Sequence, residues 1–191
     1  MESTFSYWIV NLKVIIGDCG ATVDGVPKIA GNRYQTLPES ITMSERLDYE
    51  AISPEGLKIL LTLNSFVKDL GIEPKLKALI EIRISQINGC AFCVDQHSME
   101  ARSAGESQQR LDSLVVWDES PFFTDRERVA LNWAESVTLC AESGVPDEVY
   151  LEALNIFSEQ ELVALTYLII NMNGLNRIGV SFRMVPPTRP L

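Results

Sequence analysis

The sequence predicts an all-α protein, a small helical bundle that follows a poorly defined N-terminal extension. Beyond residue 53, apolar side chains recur at the i, i+3, i+4 spacing of helices that bury one face. Two segments begin with a capping box, formed by Thr124 with Glu127 and by Ser158 with Glu161. The same region contains no convincing strand or hairpin signal, so we expect helices alone.

The helix boundaries follow from caps and chain breakers. Ser53 and Pro54 suit the start of the first helix, and Gly71 suits its end. Asn88 and Gly89 provide the stop for the second. The expected helices cover residues 54–70, 74–88, 90–104, 107–116, 124–143, 147–157 and 162–182.

The last expected helix is apolar around most of its circumference, and prolines at 186 and 187 are expected to stop it. A helix of this kind is buried within its own domain or against a partner subunit. Because the remaining helices are modest in length, we expect a homo-oligomer.

Residues 1–42 have a different character from the rest of the chain. They are rich in Gly, Thr and Pro and have no helical period, whereas Met43 begins a segment that resembles the start of a protein. We interpret residues 1–42 as an extension that is either disordered or stems from a misassigned start codon, and residues 43–191 as one helical domain.

Charge and hydropathy exclude several classes of partner. Sixteen basic against 26 acidic residues give a net charge of -10, without a basic cluster, which argues against nucleic acid and anionic membranes. No apolar run approaches the roughly 20 residues of a membrane span, and the N-terminus lacks the basic start of a signal peptide. We therefore expect a cytoplasmic protein.

The stretch from Asn88 to His97 holds two of the four cysteines and the only histidine. Cys90 and Cys93 are three residues apart, so their thiols lie about one helical turn apart and can close a disulfide. A helix N-terminus favours thiolate over thiol, and His97 follows Cys93 by four residues on the same face as a possible general base. Such a set can carry out a two-electron thiol–disulfide cycle through a sulfenic acid.

Two other interpretations of the cysteine pair stand beside the redox one. The cysteines can be small buried hydrophobes, and with His97 they supply three zinc ligands. Tetrahedral zinc needs a fourth ligand, and three ligands on one helical stretch have poor geometry for it. We therefore expect no metal and no cofactor.

From residue 85 to residue 97 the chain resembles the carboxymuconolactone decarboxylase-like family, in its alkylhydroperoxidase AhpD-like branch. The likeness spans about residues 43–187 and is carried further by residues 100–102, 104–106, 110–111, 117, 121–127 and 173–177. The resemblance identifies residues 43–191 as an AhpD-like domain. It implies an all-helical fold that assembles as a homotrimer or homohexamer. It also implies a peroxidase activity in which Cys93 attacks the hydroperoxide, Cys90 closes the disulfide, and a thiol or protein reductant reopens it.

The resemblance also implies a glutamate twelve residues before the first cysteine, as the far end of a proton relay through His97, but Ala78 occupies that position. Glu81, one turn further along the helix, and Glu100, three residues after His97, are the candidates to replace it. Both glutamates have an alternative interpretation as solvated surface charges.

The leading functional prediction is a thiol-dependent peroxidase that acts on organic hydroperoxides or hydrogen peroxide. A protein disulfide reductase or redox-sensing partner would use the same thiols. A third hypothesis is a catalytically weak oligomeric scaffold, because the glutamate that the resemblance implies is absent. Decarboxylation of a lactone is the weakest, because nothing in the sequence marks a lactone pocket.

Overall fold

The computed structural model describes residues 44–188, so the predicted extension at residues 1–42 lies outside the described residues. Within them the chain is helical, without strands, and none of the helices is long and apolar enough to cross a membrane. The helices are α1 (Tyr49–Ile52), α2 (Pro54–Lys68), α3 (Pro74–Asn88), α4 (Ala91–Ser103), α5 (Gln108–Ser113), α6 (Asp125–Thr138), α7 (Cys140–Ser143), α8 (Asp147–Ile156) and α9 (Glu159–Phe182), with a 3-10 turn at Leu114–Val116.

Helix α3 lies at the centre of the fold, where it contacts α4, α6 and α9. One set of its side chains, Leu76, Ile80 and Ile84, joins the main apolar core with residues of α6 and α9. Leu79 and Ile82 instead join a smaller core with residues of α4, α5 and α6. Because α3 is buried on both sides, its ends have little freedom to move, and the thiol stretch begins directly at one of them.

Most helix boundaries lie within a few residues of the sequence-based expectations, but helix α1 was not expected, and three further details differ. The helix predicted for residues 124–143 is divided at Leu139 into α6 and α7. Residues 107–116 form α5 followed by the 3-10 turn. Helix α9 ends at Phe182, before the two prolines, because Arg183 adopts a left-handed conformation and the Met184 N–H donates to the Gly179 carbonyl at 2.9 Å.

The apolar circumference of α9 divides into two parts. Its inner positions, among them Leu165, Leu168 and Ile169, are buried in the core. Val163 and Ile170 are about half-exposed on the outer side of the same helix. Burial in the domain therefore accounts for part of the pattern, and the homo-oligomer remains a prediction.

Both predicted capping boxes are present, and the one that starts α9 is tied to α6. The Glu161 N–H donates to Ser158 Oγ, and the Ser158 N–H donates to Glu161 Oε2 at 2.8 Å. Arg126 on α6 donates to Glu161 Oε1 at 2.7 Å. These bonds, first from the Ser158 backbone and then from Arg126, lower the pKa of Glu161 to about 2 from an ordinary value of 4.5.

Replacing Glu161 by Gln tests this arrangement. Because the folded-state pKa of Glu161 is depressed, its contribution is fully present above pH 4.5 and is lost as the pH falls towards about 2. We expect E161Q to lower the free energy of unfolding by about 1 kcal/mol at pH 7, a figure kept small because solvent screens this half-exposed pair.

Urea unfolding at several pH values measures this difference, which should shrink between pH 4.5 and 2. The matched control is E159Q, which removes the same charge from the same helical turn but leaves the capping box intact. Equal destabilisation in both variants would contradict the specific role of Glu161.

Candidate active site at the Cys90–Cys93 disulfide

The turn between α3 and α4 places the two thiols. Gly89 ends α3 in a left-handed conformation with φ 69°, which glycine adopts without steric cost. The Cys90 N–H donates to the Ser85 carbonyl at 3.0 Å. Cys90 is therefore the N-cap of α4, one residue before the helical turn in which the sequence analysis placed it, while Cys93 lies in the first turn.

A network of amides and one hydroxyl, in which Asn176 and Ser85 are buried and Asn88 and Asn173 partly so, holds this turn from behind. Asn176 of α9 is fully buried and donates through Nδ2 to Ser85 Oγ at 3.1 Å. Asn88 donates through Nδ2 to the side-chain oxygens of Asn176 and Asn173, each at 3.0 Å. Because buried polar groups are costly unless they are paired, this network specifies one position of α9 against the thiol turn.

Cys90 and Cys93 are joined by a disulfide, with their Cα atoms 5.3 Å apart. They are only 2% and 6% exposed, and α9 covers them at Gly179. A β-carbon on Gly179 would lie 2.9 Å from Cys90 Sγ and 3.7 Å from Cys93 Sγ, which is too close for the first sulfur. The absence of a side chain at Gly179 therefore lets α9 pack directly on the disulfide.

His97 lies between the two predicted carboxylates. Its Nδ1 is 3.2 Å from Glu100 Oε2 and 3.6 Å from Glu81 Oε2. Burial acts to raise the pKa of Glu100, but the hydrogen bond from Gln96 and the nearby His97 outweigh it and lower that pKa below its ordinary value. Since an ionised carboxylate only accepts hydrogen bonds, this contact favours the tautomer that carries its proton on Nδ1 and leaves Nε2 as the acceptor.

The two glutamates differ in their surroundings. Glu81 is 4% exposed, and its Oε1 accepts from Lys77 Nζ at 2.5 Å, so the interpretation as a surface charge is wrong for this residue. The side chain of Glu100 is about half-exposed. Ala78 packs against the smaller apolar core, while Glu81, one turn further along, reaches His97.

A shallow open depression of about 560 Å³ lies beside the disulfide. Cys90 forms part of its wall, between polar residues at the end of α3 and the exposed side of α4, whereas Cys93 and His97 do not line it. Within residues 44–188, no group of three or more metal-ligating side chains is placed to hold a metal ion.

The sequence analysis missed Ser85, Asn176, Gly179 and Lys77. Asn176 carried a usable signal, because an amide in a largely apolar helix indicates a hydrogen-bonding partner in the core. Gly179 in the interior of the same helix indicated a close approach of another group. The partners of both residues, however, are about 90 positions away in the chain.

Comparisons with known proteins place this chain in a family. The model of the carboxymuconolactone decarboxylase family matches residues 54–136. The uncharacterized protein YdfG of Bacillus subtilis (strain 168) is 40% identical over 139 residues, which make up 73% of this chain and 95% of YdfG. The chain therefore belongs to the carboxymuconolactone decarboxylase family, as the sequence resemblance predicted.

Solved structures agree with this assignment. One crystal structure is of an Agrobacterium tumefaciens protein of unknown function, described as a candidate antioxidant defence protein AhpD. It matches this chain with a TM-score of 0.75 and 41% identity, over 76% of this chain and 100% of that one. The apo debrominase Bmp8 has a TM-score of 0.65 and 20% identity over 72% of this chain and 74% of its own, a likeness of fold alone. The predicted all-α, AhpD-like fold is confirmed.

Gly179 gives a direct test of the packing at the thiols. Replacing it by Ala places a β-carbon against Cys90 Sγ, which the disulfide prevents from moving away freely. We expect G179A to lower the free energy of unfolding of the oxidised protein by about 1–3 kcal/mol, as overpacking does elsewhere. Denaturant unfolding without reductant measures this value.

The matched control is G174A on the same helix. A β-carbon there would lie 3.5 Å from Leu60 Cδ2, an ordinary contact, so the helix preference for Ala should raise stability by up to about 1 kcal/mol. A stabilised G179A variant would refute the close packing of α9 on the disulfide.

Proposed function

We propose that this protein is a thiol-dependent peroxidase that reduces a hydroperoxide with Cys90 and Cys93 and is reopened by a dithiol reductant. The observation that carries the proposal is a buried pair of cysteines at the start of α4, with a histidine on the same helix oriented by carboxylates. Membership of a family that includes AhpD-like proteins, and the candidate antioxidant role of the Agrobacterium relative, support the same class of activity.

The oxidative half of the cycle begins at Cys93. His97 Nε2 accepts the proton of the Cys93 thiol, and the thiolate attacks the terminal oxygen of the hydroperoxide. The O–O bond breaks, Cys93 becomes a sulfenic acid, and the leaving alkoxide takes the proton from His97 as an alcohol. The Cys90 thiol then attacks the sulfenic sulfur, the disulfide forms and water leaves, so two electrons have passed from the thiols to the peroxide.

The reductive half of the cycle needs a thiol donor that reaches one sulfur of the disulfide. Cys90 borders the open depression, so we propose that a donor thiolate attacks Cys90 Sγ and releases Cys93 as the thiolate. The second thiol of the donor then closes the donor disulfide and frees Cys90. A depression this open also has room for a protein partner. A protein disulfide reductase, which would exchange the same thiols with a protein disulfide, is therefore the second candidate function.

Glu81 has the geometry to serve the relay that Ala78 cannot serve. A buried carboxylate beside His97 Nδ1 stabilises the imidazolium that forms when His97 accepts a proton. Lys77 pairs with the other oxygen of Glu81 and offsets the cost of burying its charge. A carboxylate at this position supports the peroxidase over a catalytically weak scaffold.

The decisive experiment measures peroxide consumption with dithiothreitol as the donor. We expect C93S to abolish turnover, since it removes the nucleophile, and C90S to react once with hydrogen peroxide without forming a disulfide. The control is C140S, which removes an exposed free cysteine and should leave the rate unchanged. Wild-type protein that exchanges with protein disulfides but consumes no peroxide would favour the reductase over the peroxidase.

The two glutamates give a second prediction. E81Q should lower kcat/KM for hydrogen peroxide about tenfold or more, because it removes the buried charge that stabilises protonated His97. E100Q should change it only about twofold, since solvent already screens this half-exposed group. Stopped-flow peroxide kinetics measure both values. A larger effect of E100Q than of E81Q would contradict the assignment of the relay to Glu81.

A further inference from the structure

Lys77 has a relation to the thiol site that goes beyond balancing the buried charge of Glu81. Its Nζ is 2.5 Å from Glu81 Oε1, and the two residues are four apart on one face of α3. Their side chains are only 20% and 5% exposed. Because solvent competes little for either group, this ion pair keeps its geometry better than a surface pair does.

The two oxygens of the Glu81 carboxylate have different partners. Oε1 faces Lys77, whereas Oε2 is 3.6 Å from His97 Nδ1. A glutamate side chain has several rotatable bonds, and all of them have to stay in one rotamer to keep Oε2 beside the imidazole. The contact of Lys77 with Oε1 selects the rotamers that present Oε2 to His97.

The backbone of Glu81 is held separately. Ser85 Oγ donates to the Glu81 carbonyl at 2.7 Å, and Asn176 Nδ2 donates to the same Ser85 Oγ at 3.1 Å. Both of these residues are fully buried. Since the network from α9 already fixes the backbone, the freedom that remains to Glu81 lies in its side chain, and Lys77 contacts the end of that side chain.

The charge of Lys77 also reaches the second carboxylate. Burial acts to raise the pKa of Glu100, while the hydrogen bond from Gln96 and the nearby His97 lower it. The charge of Lys77 acts in the same direction as these two groups. Without this ammonium group the two carboxylates would repel each other across His97, and the carboxylate of Glu81 would be free to turn away.

We propose that Lys77 is a positioning residue of the thiol site, which holds the Glu81 carboxylate with Oε2 towards His97 while the thiol proton is transferred. The inference rests on the proposed peroxidase function and adds to it a residue that acts through Glu81. It differs from the role of a purely structural ion pair. Loss of Lys77 should slow the chemistry at Cys93 only while Glu81 is present.

The test measures kcat/KM for hydrogen peroxide in K77M, with and without Glu81. We expect K77M to lower it about fivefold, less than E81Q does, since the carboxylate remains but is no longer held. K77M should have no further effect in the E81Q background, because a residue that acts through Glu81 has no role there. K77R keeps the charge and the donors and should stay within about twofold of wild type. An equal loss caused by K77M in both backgrounds would overturn the proposal.

The matched control is K75M, which removes the same charge from an exposed position on α3 and should leave the rate unchanged. If K77M does not fold, K77Q takes its place, because it keeps a hydrogen-bond donor without the charge. K77Q must then slow the reaction in the wild-type background and not in the E81Q background.

Alkylation of Cys93 separates this inference from the proposed function, because it needs no peroxide. In the reduced protein, iodoacetamide reacts with the Cys93 thiolate that His97 helps to form, and peptide mass spectrometry measures the rate. Slower alkylation in K77M, restored in K77R, supports the role of Lys77 even if the wild-type protein consumes no peroxide and the peroxidase proposal fails. Alkylation of K77M at the wild-type rate would overturn the role of Lys77 alone.

Discussion

The site depends on how firmly the turn between α3 and α4 is held. Asn176 reaches across from α9 to Ser85, and Asn88 closes the same network one turn later. A buried amide without a partner costs about 1–3 kcal/mol, so a shift of α9 that broke these bonds would be strongly disfavoured. The position of α9 therefore determines the position of Cys90, although the two are separated by most of the domain in sequence.

Close packing at Gly179 has a consequence for both halves of the proposed cycle. The glycine lets α9 cover the disulfide on one side, while the depression at the end of α3 leaves Cys90 approachable on another. In the proposed cycle, the hydroperoxide and the donor thiol therefore both have to approach the sulfur atoms from a side that α9 does not cover.

The charged cluster at His97 combines a stabilising and a costly element. Burial of the Glu81 carboxylate carries a desolvation cost, and the ion pair with Lys77 offsets part of it. An apolar residue at this position would carry no such cost. Glu100 occupies the other side of Nδ1 with little burial. The arrangement favours the tautomer with the proton on Nδ1, which is the one that a general base acting through Nε2 needs.

The sequence by itself determined those features that arise from neighbours within about one helical turn. The capping boxes, the stop at Gly89 and the spacing of Cys90, Cys93 and His97 were all predictable, because a helix places residues three and four apart on one face. Glu81 could be named but not placed. Only the packing of α3 against α4 turned its carboxylate towards His97, and only the packing of α9 brought Asn176 and Gly179 to the thiol turn. Contacts between distant segments depend on how whole helices cross, and local spacing does not specify that crossing.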